Sequence, residues 1–197
     1  MTDLNGLMVE GAAEAAIIDI LLNNNLLKFD SNDLISAPNG DKYQTFLSDK
    51  KFVRTFLSHS FDDIPIHMHI VCDNPNRHSK IMKLSNAVTD MTYYITREEI
   101  ESIQLRADPG WIPLFENYKR QKNSDKKPST FFTHVLKISK IKKYNFVYDL
   151  WKDKPDKLVV ALQSVKREMK HKALLKGKGV NYKYLADLLK NSLNSGY

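Results

Sequence analysis

Cys72 is the only cysteine in the chain, so an internal disulfide and a zinc-finger arrangement are both excluded. No apolar run is long enough to cross a bilayer. The opening residues, MTDLNGLM, have neither the basic flank nor the apolar core of a signal peptide, and the expectation is a cytoplasmic protein with no membrane partner. There is no internal repeat and no nucleotide-binding P-loop, so any ATPase working with this chain would be a separate partner. What remains is an ordinary globular composition. With 197 residues, 42% hydrophobic and 27% charged, the chain suits one domain, or one domain with a helical extension, around a substantial core.

The formal net charge is +7 and is unevenly spread. Before about residue 60, acids such as Glu10, Glu14, Asp19 and Asp49 outnumber the cations. Beyond Glu116 the balance reverses: Lys119, Arg120, Lys122, Lys126, Lys127, Lys137, Lys140, Lys142 and Lys143 have only Asp125 among them. Such asymmetry favours a polyanionic partner, most often nucleic acid, DNA or RNA. Tyr118 is interleaved with these cations, and Trp111 and Phe115 lie just before them. This is the composition of a loop that tracks phosphates beside a stacking ring. Arg77, Lys119, Lys122, Lys126 and Lys127 are the candidate nucleic-acid contacts; solvated lysines around core aromatics are the plainer reading.

The stretch LMVEGAAE, residues 7–14, organises the first half. A short apolar run ends in Glu10 and Gly11, and a helical pattern starts at Ala12 with Ala13, Ile17, Ile20 and Leu21 on one side. That is the pattern of a buried parallel strand delivering Glu10 to its carboxyl end, with Gly11 allowing a tight turn and a close ligand approach. Leu34–Ile35 is the candidate second strand, closed by the Pro38-Asn39-Gly40 turn. Residues 41–60 read as a helix. Residues 64–73, IPIHMHIVCD, read as a third strand with one apolar face that delivers Asp73, preceded by a Phe61-Asp62-Asp63 turn. Residues 80–87 give a short helix and 91–95 a fourth strand. Thr96 is the expected N-cap of the next helix, with Glu99 at the capping-box position.

Strands alternating with helices predict an α/β parallel sheet over residues 1–106. Residues 107–197 read as a helical, basic extension packed on or beside it. Pro128 begins one of its helices, Lys176-Gly177-Lys178-Gly179 is a hinge, and residues 182–193 form a last amphipathic helix.

If the first and third strands are neighbours, Glu10 and Asp73 meet at one edge of the sheet, where open α/β sheets bind ligands. Two such acids suit Mg²⁺, or Mn²⁺, which takes a few carboxylates together with water and substrate phosphate. Glu10 is also the candidate general acid/base, the plainer reading being a strand-end acid near a helix N-terminus. His67 and His69 share a strand face but lack a third zinc ligand at useful spacing. Cys72, beside Asp73, is expected to be a buried apolar residue with a raised thiol pKa.

VEGAAE followed by a strand ending in Asp73 resembles the Toprim domain of topoisomerases, primases and OLD-type nucleases. That family carries a glutamate after its first strand and an Asp-x-Asp after a later one. Chain length, the ITREEIE segment and the lysine-rich tail look more like the small RloB-like proteins of restriction and phage-defence loci. The resemblance implies a Mg²⁺-dependent nuclease or nuclease-like effector acting on nucleic-acid phosphodiesters, in antiviral defence or abortive infection. It also implies a further acid after the fourth strand, Glu99 or Glu101, giving Glu10, Asp73 and Glu99 as the metal set. Asp73-Asn74-Pro75 departs from the pattern by lacking the second aspartate, and Asn76 is only a neutral substitute. A catalytically degenerate nucleic-acid-binding or protein-interaction subunit is the alternative, and a small-molecule phosphotransferase a third. Homo-oligomerisation is left open.

Overall fold

The computed structural model describes residues 4–45, 48–58, 64–74, 76–96, 99–122, 124–169 and 182–190. The first apolar run is strand β1, Leu4–Val9, and helix α1, Ala12–Asn23, follows at once. The second half of β1, residues 7–9, has no polar break, which suits a strand covered on both faces, and Leu7, Met8 and Val9 are fully buried. Next come β2 (Gln44–Thr45), α2 (Asp49–Phe56), β3 (Ile66–Cys72), α3 (Ile81–Leu84), β4 (Val88–Ile95) and α4 (Glu99–Gln104). The chain continues through α5 (Trp111–Arg120), α6 (Pro128–His134), α7 (Tyr144–Trp151) and α8 (Pro155–Met169) to β5 (Tyr182–Lys183) and a 3-10 turn, Leu185–Leu188. The strand order is β2-β1-β3-β4-β5 and every pairing is parallel. The fold is therefore α/β, a parallel sheet flanked by helices, as the alternation of elements predicts.

Register decides what each face meets. Asn5, Leu7 and Val9 lie opposite His67, His69 and Val71, and neighbours in register point to one side. Leu7, Val9 and Val71 join α1, α7 and α8 in one core, while Met8, Ile66, Met68 and Val88 pack on the other side with Phe52, Phe56 and Ile81. So β3 is covered on both faces, where alternation alone predicts a single apolar one. Helix α1 departs from expectation in the same way: Ala13 through Ile18 are all buried, because α7 covers the side turned away from the sheet. Trp151 of α7 is fully buried and its indole N–H donates to Gln104 Oε1 at 2.6 Å, tying the helical extension to α4.

Three sequence expectations are corrected. Leu34 makes only an isolated bridge to Asn5, and the true second strand is Gln44–Thr45, paired with Met8 and Val9. Between them the predicted turn forms, with Gly40 at φ 86°, and it splits the edge of β1 between two short segments. Consequently the second helix starts only at Asp49. The extension is also not wholly helical. Tyr182–Lys183 pairs with Tyr93–Tyr94, covering the free edge of β4, and the expected last helix is a 3-10 turn whose Leu188 carbonyl accepts from Lys28 N–H at 2.8 Å. The expected Phe61–Asp63 turn and Lys176–Gly179 hinge lie outside the described residues. Among the described residues no helix is long and apolar enough to cross a membrane.

Candidate active site

Strands β2 and β3 flank β1, so the chain direction across the sheet reverses between β1 and β3, and ligand crevices open at the carboxyl ends of such strands. Glu10 and Asp73 follow those two strands. The Asp73 amide donates to Glu10 Oε2 at 2.8 Å, and the Glu10 amide donates to Val71 O at 2.9 Å. The two acids expected to meet are therefore brought together at one rim.

Glu99 is not part of that rim. It is wholly buried, and its carboxylate accepts from the Leu185 amide at 3.5 Å. Burial pushes its pKa up to about 8. The 3-10 turn packs on α8 and β4 and its Leu185 amide holds the carboxylate inward, which removes it from the expected metal set. The Thr96 carbonyl accepts from the Glu99 and Ile100 amides at the start of α4, and its hydroxyl donates to Glu14 Oε1 at 2.9 Å. Among the described residues no group of three or more His, Cys, Asp or Glu side chains converges to hold a metal ion. Glu10 and Asp73 remain as a pair, and one or two carboxylates with water and substrate phosphate are the usual Mg²⁺ provision.

Asp73 also lines a cavity of about 610 Å³, with Glu14, Thr96 and Glu101 on its sheet side. Glu14 is in the first turn of α1 and is 8% exposed. Burial, the largest influence, raises its pKa; the hydrogen bonds to backbone and Thr96 and the nearby Lys142 oppose the rise, and Asp73 adds to it. Gly11 makes room for this side chain, since a Cβ there would stand 2.1 Å from Glu14 Oε2. Its backbone is extended, with φ −112° and ψ 159°, so the glycine is needed for a folded-back carboxylate and not for the tight turn the sequence suggests.

Facing these acids are Lys119, Lys126, Lys127 and Lys142, with Phe115 and Ile100 supplying apolar wall. Lys142 pairs with Glu101 at 2.8 Å and Lys119 with Glu116 at 2.7 Å. Lys126 and Lys127 have exposed side chains, and neither ammonium is in an ion pair among the described residues. Asp125 holds their loop: its carboxylate accepts from the Lys127 amide (3.1 Å), the Thr130 hydroxyl (2.6 Å) and the Tyr118 hydroxyl (3.0 Å). That anchoring supports Lys126 at φ 60°, a conformation unusual for a side chain of this size.

Three of the five expected nucleic-acid contacts, Lys119, Lys126 and Lys127, thus reach the cavity with Asp73. The other two do not line it. Arg77 pairs with Asp49 at 2.7 Å, and Lys122 is exposed elsewhere. Phe115 is largely buried against Phe131, with ring centroids 5.3 Å apart, so it offers an edge of wall instead of a free stacking ring.

Sequence reasoning missed Glu14 and Lys142. A carboxylate three positions after a glycine at a helix start is a signal for the first; nothing local marks Lys142 among its neighbouring lysines. Cys72 is buried, which pushes its thiol up to about 12, with Glu10 contributing further. That agrees with the inert role expected for it. No family model matches the chain, and neither a curated protein nor a solved structure matches it.

Proposed function

We propose that the chain is a Mg²⁺- or Mn²⁺-dependent nuclease, or nuclease-like effector, acting on nucleic-acid phosphodiesters. The observation that carries the reading is one cavity lined by Asp73 and Glu14 on the sheet side and by Lys119, Lys126 and Lys127 opposite. A phosphodiester needs cations for its oxygens and a carboxylate to take the proton of the water that attacks it, and lysines and carboxylates both line this space. Lys126 and Lys127 bind and orient the phosphate. Glu10 does not line the cavity but joins it at the rim through the Asp73 amide on its Oε2, and its other oxygen holds the proton-accepting role. Glu10 and Asp73 would hold the metal, which when bound supplies Lewis-acid stabilisation of charge on the phosphoryl group. A phage-defence setting rests on the RloB-like resemblance alone.

The test is cleavage of single- and double-stranded DNA and RNA with Mg²⁺ or Mn²⁺. Wild type cleaves at least one of them, and Glu10→Gln lowers the rate by about 10²- to 10⁴-fold, the usual range for a positioned acid/base, with unchanged melting and salt-dependent binding. A second reading, a binding subunit without chemistry, is favoured by the Lys142–Glu101 pair, which neutralises one acid of the floor. Binding by both proteins with cleavage by neither, under both metals, selects that reading.

A further inference from the structure

We infer that this cavity takes an unpaired nucleotide of a single strand and excludes paired duplex, an inference that rests on the nucleic-acid reading above. The cavity volume is about 610 Å³, far smaller than a B-form duplex, whose major groove alone is roughly 12 Å wide. Volumes of about 300–1,000 Å³ are those of small-ligand sites.

The width matters because of where the acids sit. Asp73 and Glu14 share the cavity with Lys126, Lys127 and Met169 of α8, so elements of the helical extension stand across from the sheet edge. A phosphodiester that enters between these two sides meets Asp73 and Glu14 on one and Lys126 and Lys127 on the other. A duplex keeps its phosphates on the outside of a rigid cylinder and would stop at the lysines. An unpaired strand, free to rotate about its backbone, can pass one nucleotide inward.

The far side of the cavity is also fixed in position. Trp111 packs edge-on to Phe132 with centroids 5.4 Å apart, joining α5 to α6, and the Asp125 bonds hold the 125–130 loop to Tyr118 of α5. Trp151 ties α7 to Gln104 of α4. Widening the cavity enough for a duplex would break these contacts together. The mixed lining fits the same guest: lysines for the phosphate, and Ile100, Phe115 and Met169 as apolar wall beside a base.

The experiment compares binding of a labelled single strand of about 12 nucleotides, within the usual site size, with a blunt, closed hairpin duplex of the same sequence. Anisotropy is read at fixed salt with Ca²⁺, and cleavage is followed separately with Mg²⁺ and Mn²⁺. Expected is single-strand binding tighter by about tenfold or more. Ser129→Trp, which fills the cavity from a partly buried lining position, removes that advantage while melting stays near wild type. Should Ser129→Trp unfold, competition by millimolar dAMP against the single strand serves instead, and failure to compete overturns the inference. Equal or tighter binding of the duplex overturns it too. If duplex and single strand are bound and cut alike, the strand inference falls and the nuclease reading stands. If the single strand is preferred and nothing is cut, the inference stands and the nuclease reading falls.

Discussion

Two polar clusters occupy the same sheet, and they are opposites. Toward the amino ends of the strands, His69 donates from Nε2 to Asn5 Oδ1 at 2.9 Å and accepts at Nδ1 from the Tyr94 hydroxyl at 3.1 Å. His67 is held by Thr92 (3.1 Å) and Asp90 (3.0 Å), and Phe29 stacks on His69 with centroids 4.7 Å apart. Burial, with His67 close by, pushes the His69 pKa down to about 3. Every ring nitrogen of that pair has a partner within the fold. At the carboxyl ends, by contrast, Asp73 is exposed in a cavity and Lys126 and Lys127 have no ion-pair partner among the described residues. Polar residues in a core do not by themselves mark a site; the useful distinction is whether their hydrogen-bonding capacity is already spent.

The sharpest way to break this comparison is to disturb each cluster in turn. Where Glu10→Gln removes cleavage and spares stability, His69→Ala should do the reverse. It leaves Asn5 Oδ1 and the Tyr94 hydroxyl without their buried partner, which costs about 2 to 3 kcal/mol in urea unfolding, with nucleic-acid affinity unchanged. A His69→Ala protein that folds normally yet no longer binds would mean the two clusters had been misassigned.

Gly11→Ala comes next in size. Its new methyl displaces the Glu14 carboxylate and its bond from Thr96, an expected loss of about 1 kcal/mol. Most of that loss should vanish in a Glu14→Ala background, where the clashing carboxylate is absent, and a double-mutant cycle measures it.

Glu99 gives a pH-dependent effect. Its folded pKa is raised from 4.5 to about 8, so between those values the folded state holds the proton that the unfolded state has released. Its contribution to stability is therefore complete below about pH 4.5 and is lost as pH rises through about 8. Melting temperature followed from pH 5 to pH 9 should fall less in Glu99→Gln than in wild type; parallel curves would show that Glu99 does not titrate in this window. The smallest effect is that of Lys127→Ala, which should flatten the slope of log affinity against log salt by about 0.7 for a single strand. An unchanged slope would take Lys127 off the phosphate path.

The legible part of the molecule was local. LMVEGAAE reads as a strand, a turn and a helix because an unbroken apolar run followed by a small-residue turn leaves few alternatives. The meeting of Glu10 and Asp73 follows once the two strands are taken as neighbours. The Pro38-Asn39-Gly40 turn is legible for the same reason, glycine being the residue that supplies positive φ. Glu99 was misplaced because its fate depends on the Leu185 amide, a main-chain group 86 positions away that carries no sequence signature. Tyr182–Lys183 was taken for helix because two residues are too few for a period; only the open edge of β4 makes them a strand.

The sequence by itself determined the alternating α/β order, the acids at two strand ends and the basic second half, because apolar periodicity and charge are properties of neighbouring residues. Tertiary structure alone decided which carboxylates face a cavity and which lysines stand across from them. It turned Glu99 inward and brought Glu14 and Lys142 to the cavity that Asp73 lines. Burial and hydrogen-bond partners come from segments distant in the chain, and they fix whether a charged group is spent on the fold or left for a ligand.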